Sequence, residues 1–322
     1  MSKTIELHQE RNFSNKISTA FDFIKQNFKG LSKPILYIAL PVALLSGFFM
    51  SEYLSAAFST MGAGRSHSFY EYGGVTGFIL NYVGLFLSAG LGTLLIVSSI
   101  FSYISLYDED KDRDITYSMV FSRLRQRIGR FIGYNILYGM MIGLILVIVG
   151  VICFGPAIYF MTNNSFIAVG VILYFLMLFV FIFLILFVIA FSYILQNTIF
   201  FEDLSPGRTL SRTFELMKGN WWNTIGLLIV VSLMINVIAL IFVIPLYIAL
   251  ILNMVGIGME GVGKLVTIVM SMITMLGSFL VYPLLLIPMA LQYFNLVEKK
   301  DGTGLLGQIE KIGEIENFDK DE

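Results

Sequence analysis

Charge is scarce in this chain. Asp, Glu, Lys and Arg make up 13% of its 322 residues, hydrophobic residues make up 57%, and mean hydropathy is +0.81. A soluble domain carries about a quarter charged residues, so a soluble globular fold is excluded and the composition reads as a polytopic membrane protein. Histidine is nearly absent: His8 and His67 alone cannot build a histidine-rich iron site or a typical zinc site. That excludes intramembrane metalloproteases and desaturases. The single cysteine, Cys153, lies in an apolar run. It rules out an intrachain disulfide and reads as a small buried apolar residue. No HExxH, GxSxG or complete phosphate loop occurs, and GVGK at 261–264 lacks the rest of such a motif. No enzyme, cofactor or metal is therefore expected, nor a nucleic-acid partner. The first thirty residues hold no apolar core followed by a cleavage site, so a removable signal peptide is not expected.

What is abundant is long apolar runs. Pro34 to about Phe58 gives a first span, with Pro41 inside it as a kink. Val75–Tyr107, 33 residues without charge, gives the second. From Phe131 to Phe201 there are 71 residues with no Asp, Glu, Lys, Arg or His, and a bilayer needs roughly 20. Two spans therefore fit, about Phe131–Cys153 and Phe166–Ile199. Gly155-Pro156 and Asn163-Asn164-Ser165 supply turn chemistry between them. Span five is about Thr224–Leu252, bent at Pro245. Span six is about Leu265–Val297, with Pro283 and Pro288 as kinks.

Three amphipathic, basic stretches precede spans one, three and five. Their apolar stripes are Ile17, Phe21, Ile24, Phe28; Val120, Leu124, Ile128, Phe131; and Leu210, Phe214, Met217, Trp221. Each reads as a helix lying on the membrane surface. The third opens with a helix-start signal, Ser205-Pro206, and closes on Lys218-Gly219 and the two tryptophans. FIKQNFKG (Phe23–Gly30) aligns with LMKGNWWN (Leu216–Asn223), and more weakly with LRQRIGRF (Leu124–Phe131). Tyr103, Tyr193 and Tyr293 each precede a return to acidic residues. The chain thus reads as an all-α membrane protein with six transmembrane helices in three repeated units of roughly 95 residues, each preceded by an interfacial helix. The units fall at about 16–110, 111–203 and 204–298 within a single membrane domain, 16–298. Residues 1–15 form a loose N-terminus and 299–322 a charged tail, where Leu305, Leu306, Ile309 and Ile312 hint at a short helix.

Of the 21 lysines and arginines, all but Arg65 and Lys264 fall in the termini or in loops that an even number of spans places on one side. The positive-inside bias then puts both termini in the cytoplasm, and the inner membrane of a bacterium is the expected location. Spans two to six contain no ionisable side chain, and span one only Glu52 near its outer end. This argues against proton-coupled transport. Polar residues inside the runs are Asn81, Asn135, Asn236, Gln196, Asn197 and Gln292, which read as interhelical hydrogen-bonding groups or as a polar substrate path. Gly139/Gly143 and Gly84/Ser88/Gly92 read as helix-packing positions. Lys25, Arg123, Arg127, Arg212 and Lys218, with Trp221 and Trp222, are the candidate residues for anionic lipid headgroups.

The stretch LSRTFELMKGNWWNTIGLLIVV (Leu210–Val231) resembles the membrane domain of bacterial glycerophosphodiester phosphodiesterases and related YciC-like multi-pass proteins. There an acidic residue and a basic amphipathic helix precede Lys-Gly-Asn-Trp, which here are Glu202, Arg212, Lys218, Gly219, Asn220 and Trp221. QYFNLVEKKDGTGLL (Gln292–Leu306) looks like the ending of stand-alone members from Bacteroidetes-type bacteria. The resemblance covers the last third well and the rest loosely. It implies the membrane build alone, because the family's phosphodiesterase activity resides in a separate barrel domain for which these 322 residues leave no room. The expected role is a non-enzymatic organiser of lipids or partner proteins, with a membrane-protein partner or a second copy as companions. The alternative is a transporter or channel for a lipid-like or small neutral molecule.

Overall fold

Apolar runs in a bilayer must satisfy their backbone N–H and C=O groups internally, and a helix does so within its own segment. The computed structural model describes residues 4–59, 73–111, 113–162, 166–255 and 262–302, and among these there is no strand. In chain order the helices are α1 (Phe13–Gln26), α2 (Phe28–Ser59), α3 (Gly74–Glu109), α4 (Tyr117–Thr162), α5 (Ile167–Phe201), α6 (Pro206–Met217), α7 (Trp221–Val255), α8 (Val262–Val281) and α9 (Pro283–Asp301). Six helical stretches are long and apolar enough to cross a membrane: Phe28–Ala57, Gly74–Glu109, Tyr117–Thr162, Ile167–Phe201, Trp221–Leu252 and Gly263–Asp301. The chain is thus all-helical, with the six apolar helices of a multi-pass membrane protein.

The local signals act where the sequence puts them. Ser205 holds the N-cap position of α6 without a side-chain capping hydrogen bond, and Pro206 occupies the first position, where the missing N–H goes unused. Gly219 ends that helix with φ +79°, a left-handed conformation that an L side chain would strain. Pro283 interrupts the sixth span at Tyr282, dividing it into α8 and α9.

Two expectations are corrected. Val120–Ile128 is not a separate surface helix but the first part of α4, which runs unbroken for 46 residues. Between Ile128 and Phe131 the one helix-weakening residue is Gly129, which weakens a helix by about 1 kcal/mol without stopping it. Gly155-Pro156 makes no turn either, since α4 continues through Pro156 to Thr162. A proline frees one backbone carbonyl, a loss that membrane helices tolerate. The turn residues 163–165, the loop at 60–72, most of the glycine-rich loop near 256–261 and the tail from 303 lie outside the described residues, as do His67 and Arg65.

The chain packs as two compact units. One comprises Met1–Ile5, Ile17–Gln126 and Val230–Pro288, the other Glu6–Lys16, Arg127–Ile229 and Met289–Glu322. In the first, α2 packs closely on α3 and α8. A Cβ on Gly47 would stand 2.4 Å from the Met272 Cα, and one on Gly92 would stand 2.2 Å from Val42. Gly84 meets the Phe49 ring, so the Gly84/Ser88/Gly92 stripe does serve close packing, whereas Gly139 and Gly143 have no such neighbour. Glu52 pairs with Lys264 at 3.0 Å, joining the far ends of α2 and α8. Gly47→Ala should cost about 1–3 kcal/mol, because the obstructing atom is backbone and cannot swing aside. A melting curve of the protein in membranes checks this; unchanged melting would mean that the crossing is looser than described.

In the second unit, burial divides each long helix. On α5 the most apolar stretch holds no buried residue, with Ile172, Phe175 and Phe179 facing outward, while Ala190, Ile194, Leu195, Ile199 and Phe200 are buried. The protein core thus gathers at the end of α5 nearest the charged connection, and the apolar remainder is left for lipid. α9 belongs to this core: Met289, Ala290, Leu291, Tyr293, Phe294 and Leu296 are all buried.

Candidate functional site

A helix ends with four carbonyls that lack intrahelical donors and with the negative end of its dipole. At the end of α5 these needs are met from one face of α4. Arg127 donates to the Phe200 carbonyl and its guanidinium lies 5.5 Å from the centre of the Phe200 ring. Arg130 donates to the carbonyls of Ile199 (2.9 Å) and Glu202 (3.2 Å) and pairs with Asp203. The hydroxyls of Tyr134 and Tyr138 donate to the Leu204 and Pro206 carbonyls at 3.3 and 2.6 Å. Arg127, Arg130, Tyr134 and Tyr138 are spaced three and four apart, so all lie on one side of α4.

The Glu202 side chain turns the other way. Arg212 of α6 donates to it through Nε at 3.1 Å, and the Tyr293 hydroxyl of α9 donates to it at 2.8 Å. The far end of the Arg212 guanidinium is bidentate to Asp301, the last residue of α9. One guanidinium thus fastens the ends of α5 and α9 to α6. Hydrogen bonding to Asp301, reinforced by the charges of both carboxylates, raises the Arg212 pKa further above its already high value. Phe201 stacks on Tyr293 at 5.7 Å and completes the closure. The Glu202 carboxylate is thereby occupied on both sides, and among the described residues no group of three His, Cys, Asp or Glu could hold a metal.

Arg212 and Glu202, which the resemblance singles out, are therefore brought together, and in each other's service. Arg127 is spent on a helix end, and Arg123 is spent on Glu109 and Ser105. Of the lipid candidates only Lys25 and Lys218 stand exposed with no intramolecular partner among the described residues. Both occupy a recurring setting. Phe21 precedes Lys25 by four residues, Phe214 precedes Lys218 by four, and on α4 Phe121 precedes Arg125 by four. All six side chains are exposed, whereas Ala20, Phe23, Val120, Leu124, Thr213 and Leu216 beside them are buried. The apolar stripes of α1 and α6 thus do not simply face the protein, since Phe21, Phe28 and Phe214 turn outward.

Trp221 and Trp222 dock on an aromatic ladder that the sequence reading missed. Phe183, Phe187 and Phe191, one turn apart on α5, receive Trp222 (5.7 Å from Phe183, 5.6 Å from Phe187) and Trp221 (5.6 Å from Phe187, 6.1 Å from Phe191). Phe214 closes on Phe191 at 4.5 Å. The i, i+4 spacing of the phenylalanines was the available signal.

The polar residues inside the runs divide between the two units, Asn81 and Asn236 in the first and the others in the second. Asn135 and Asn236 donate to carbonyls one turn back in their own helices, and Asn81 is half-buried. Gln196, Asn197 and Gln292 belong to the second unit; Gln196 and Asn197 lie beyond the outward-facing apolar stretch of α5, and Asn197 and Gln292 are fully buried. Gln292 reaches another helix, donating to Thr224 Oγ1 at 2.8 Å. Comparison with protein-family models, curated proteins and solved structures finds no match in any of the three.

Proposed function

We propose that this chain is a non-enzymatic inner-membrane protein, with both termini cytoplasmic, that gathers anionic lipid along its cytoplasmic face. The observation that carries the reading is the thrice-repeated exposed pair, Phe21/Lys25, Phe121/Arg125 and Phe214/Lys218, each backed by a buried face. A ring that enters the acyl boundary one helical turn from a cation that meets a headgroup is the arrangement of a surface-lying amphipathic helix. On α1 and α6 it fits helices parallel to the membrane; on α4 it fits the base of a projecting span. Trp222, exposed beside Phe183 in the second unit, fits an interfacial depth for that unit, as tryptophan does at membrane interfaces. The restriction of nearly all lysines and arginines to one side supports the orientation. The pattern of Glu202, Arg212 and Lys218–Trp221 supports a build shared with the membrane domains of glycerophosphodiester phosphodiesterases, and the phosphodiesterase activity is not carried over.

Each basic residue near an anionic surface contributes roughly 1 kcal/mol. Lys25, Arg125 and Lys218 changed together to glutamine should therefore weaken retention of phosphatidylglycerol about tenfold or more. Phosphatidylcholine retention should stay the same. Native mass spectrometry of protein released from mixed nanodiscs reads both. Equal phosphatidylglycerol retention by wild type and variant would remove the reading's support.

A further inference from the structure

α2 has two sides of different character. Leu31, Ile35, Ala39 and Ala43 are buried on one of them. The opposite side carries Lys29, Lys33, Tyr37, Pro41, Leu44 and Phe48, all exposed. They are spaced three and four apart, so they form one line along the helix. The line changes chemistry once. Its first two members are cations one turn apart, and the members after them are aromatic or apolar. At about 1.5 Å per residue, the stretch from Lys33 to Phe48 is about 22 Å long. That is enough to follow an acyl chain from its headgroup through one leaflet, half of a hydrocarbon core roughly 30 Å thick.

A second helix meets the line where its chemistry changes. Tyr117, the first residue of α4, stands with its ring 5.9 Å from that of Tyr37. The contact leaves both rings open, since Tyr37 is 72% and Tyr117 60% exposed. All of these residues belong to the first unit. Among the described residues neither lysine has a hydrogen bond or ion pair, and neither phenol hydroxyl has a partner. Like charges one turn apart repel and weaken a helix. The one acid of α2, Glu52, cannot relieve them, because it pairs with Lys264 at the other end. Two unpaired cations, two unpaired phenols and an apolar track in series match an anionic phospholipid part for part. The lysines suit the phosphate, the hydroxyls suit the headgroup oxygens, and the track suits an acyl chain. A diffuse attraction to an anionic surface needs the cations alone. The aligned track, and a ring pair drawn from two helices, specify one lipid in one place, as basic pockets between spans do. We propose that Lys29, Lys33, Tyr37 and Tyr117 form the headgroup site of one anionic phospholipid, whose acyl chain follows Pro41, Leu44 and Phe48. The site rests on the lipid-gathering reading for the cytoplasmic placement of the start of α2, and it uses none of the three Phe–basic pairs.

The test uses the full chain in nanodiscs of phosphatidylcholine with a minor share of phosphatidylglycerol. Native mass spectrometry at rising collision energy counts the phosphatidylglycerol molecules that stay, and the last to leave is the site lipid. Lys29→Gln together with Lys33→Gln should weaken its retention about tenfold or more and leave phosphatidylcholine unchanged. Tyr117→Leu, on the other helix, should weaken the same lipid several-fold, since it removes the hydroxyl and the ring but keeps an apolar side chain. Melting curves confirm that both variants fold. The variant with Lys25, Arg125 and Lys218 changed to glutamine should shed the other phosphatidylglycerol molecules yet keep the last. If that triple variant sheds lipid while the Lys29/Lys33 variant holds the last one as wild type does, the gathering reading stands and the site falls. If the Lys29/Lys33 variant alone loses lipid, the site stands and gathering by the pairs falls. A wild type in which no phosphatidylglycerol outlasts the rest, or an equal loss of phosphatidylcholine from the Lys29/Lys33 variant, overturns the site.

Discussion

Arg212→Ala should lower stability by about 2–3 kcal/mol, more than any other single change of a charged side chain in the second unit. Removing one member of a buried pair costs 3–5 kcal/mol because the surviving charge is left uncompensated. The side chains here are 19% (Arg212), 22% (Glu202) and 32% (Asp301) exposed, so solvent screens part of that loss. Two carboxylates would be stranded, not one. The Tyr293 hydroxyl would still donate to Glu202, but one neutral donor does not replace a guanidinium. Arg212→Lys restores the charge without the fork and should recover less than half. Arg123→Ala is the internal control, since its partner Glu109 is half exposed and the pair should contribute under about 1 kcal/mol. Thermal or denaturant unfolding in lipid nanodiscs measures all three. If Arg212→Ala and Arg123→Ala melt together, the three-helix fastening at Glu202 is not what holds these ends. A cycle with Glu202→Gln adds a second check: the double variant should lose less than the two single losses combined, because the charge stranded by one change is removed by the other.

That fastening shows where sequence reading stops. The six long helices were legible because an uncharged run has one stable conformation in a bilayer, and their number follows from run length. The start of α6 was legible because Ser205-Pro206 is a local signal, and its end because Gly219 is another. The unbroken α4 was not, since a change from amphipathic to wholly apolar pattern at Phe131 looks like a boundary while nothing there stops the helix. Arg127 and Arg130 were read as topology charges. Their actual acceptors include backbone carbonyls about 70 positions away, at Ile199, Phe200 and Glu202, and a carbonyl carries no side-chain label. Tyr134, Tyr138 and Asp301 went unnoticed for the same reason. Glu202 entered the sequence reading only through a resemblance and Arg212 also as a lipid candidate, and the structure supplies the physical reason for both. The exposed Phe21 and Phe214 were read as stripe residues, and Phe121 was not singled out. Which side of an amphipathic helix meets protein and which meets lipid is decided by tertiary packing, and apolarity alone does not distinguish them.

Lys16→Met should stabilise the protein at neutral pH, and the gain should vanish in alkali. The folded-state pKa of Lys16 is about 8, against about 10.4 for an unfolded lysine. Between those values the unfolded chain binds more protons than the folded one, so stability rises with pH across the window. Below pH 8 the ammonium is charged in both states and the full cost of burying it against Arg11 and Lys299 applies. Above about pH 10.5 it is neutral in both and contributes nothing. One pKa unit corresponds to about 1.4 kcal/mol, and because solvent screens part of the ammonium's charge the cost at pH 7 is on the order of 1–2 kcal/mol. Methionine matches the lysine stem in length and carries no charge, so it removes the penalty while keeping the packing. The measurement is the stability difference between variant and wild type in phosphate-free buffer from pH 7 to 10.5. Taking the difference cancels the other lysines and tyrosines that titrate in the same range. The gap should be widest near pH 7 and shrink as pH rises through 8 toward 10.5. A gap that is flat with pH would mean that Lys16 titrates normally and that its charge reaches water; a variant less stable than wild type at pH 7 would mean that the ammonium has a favourable partner in the folded protein.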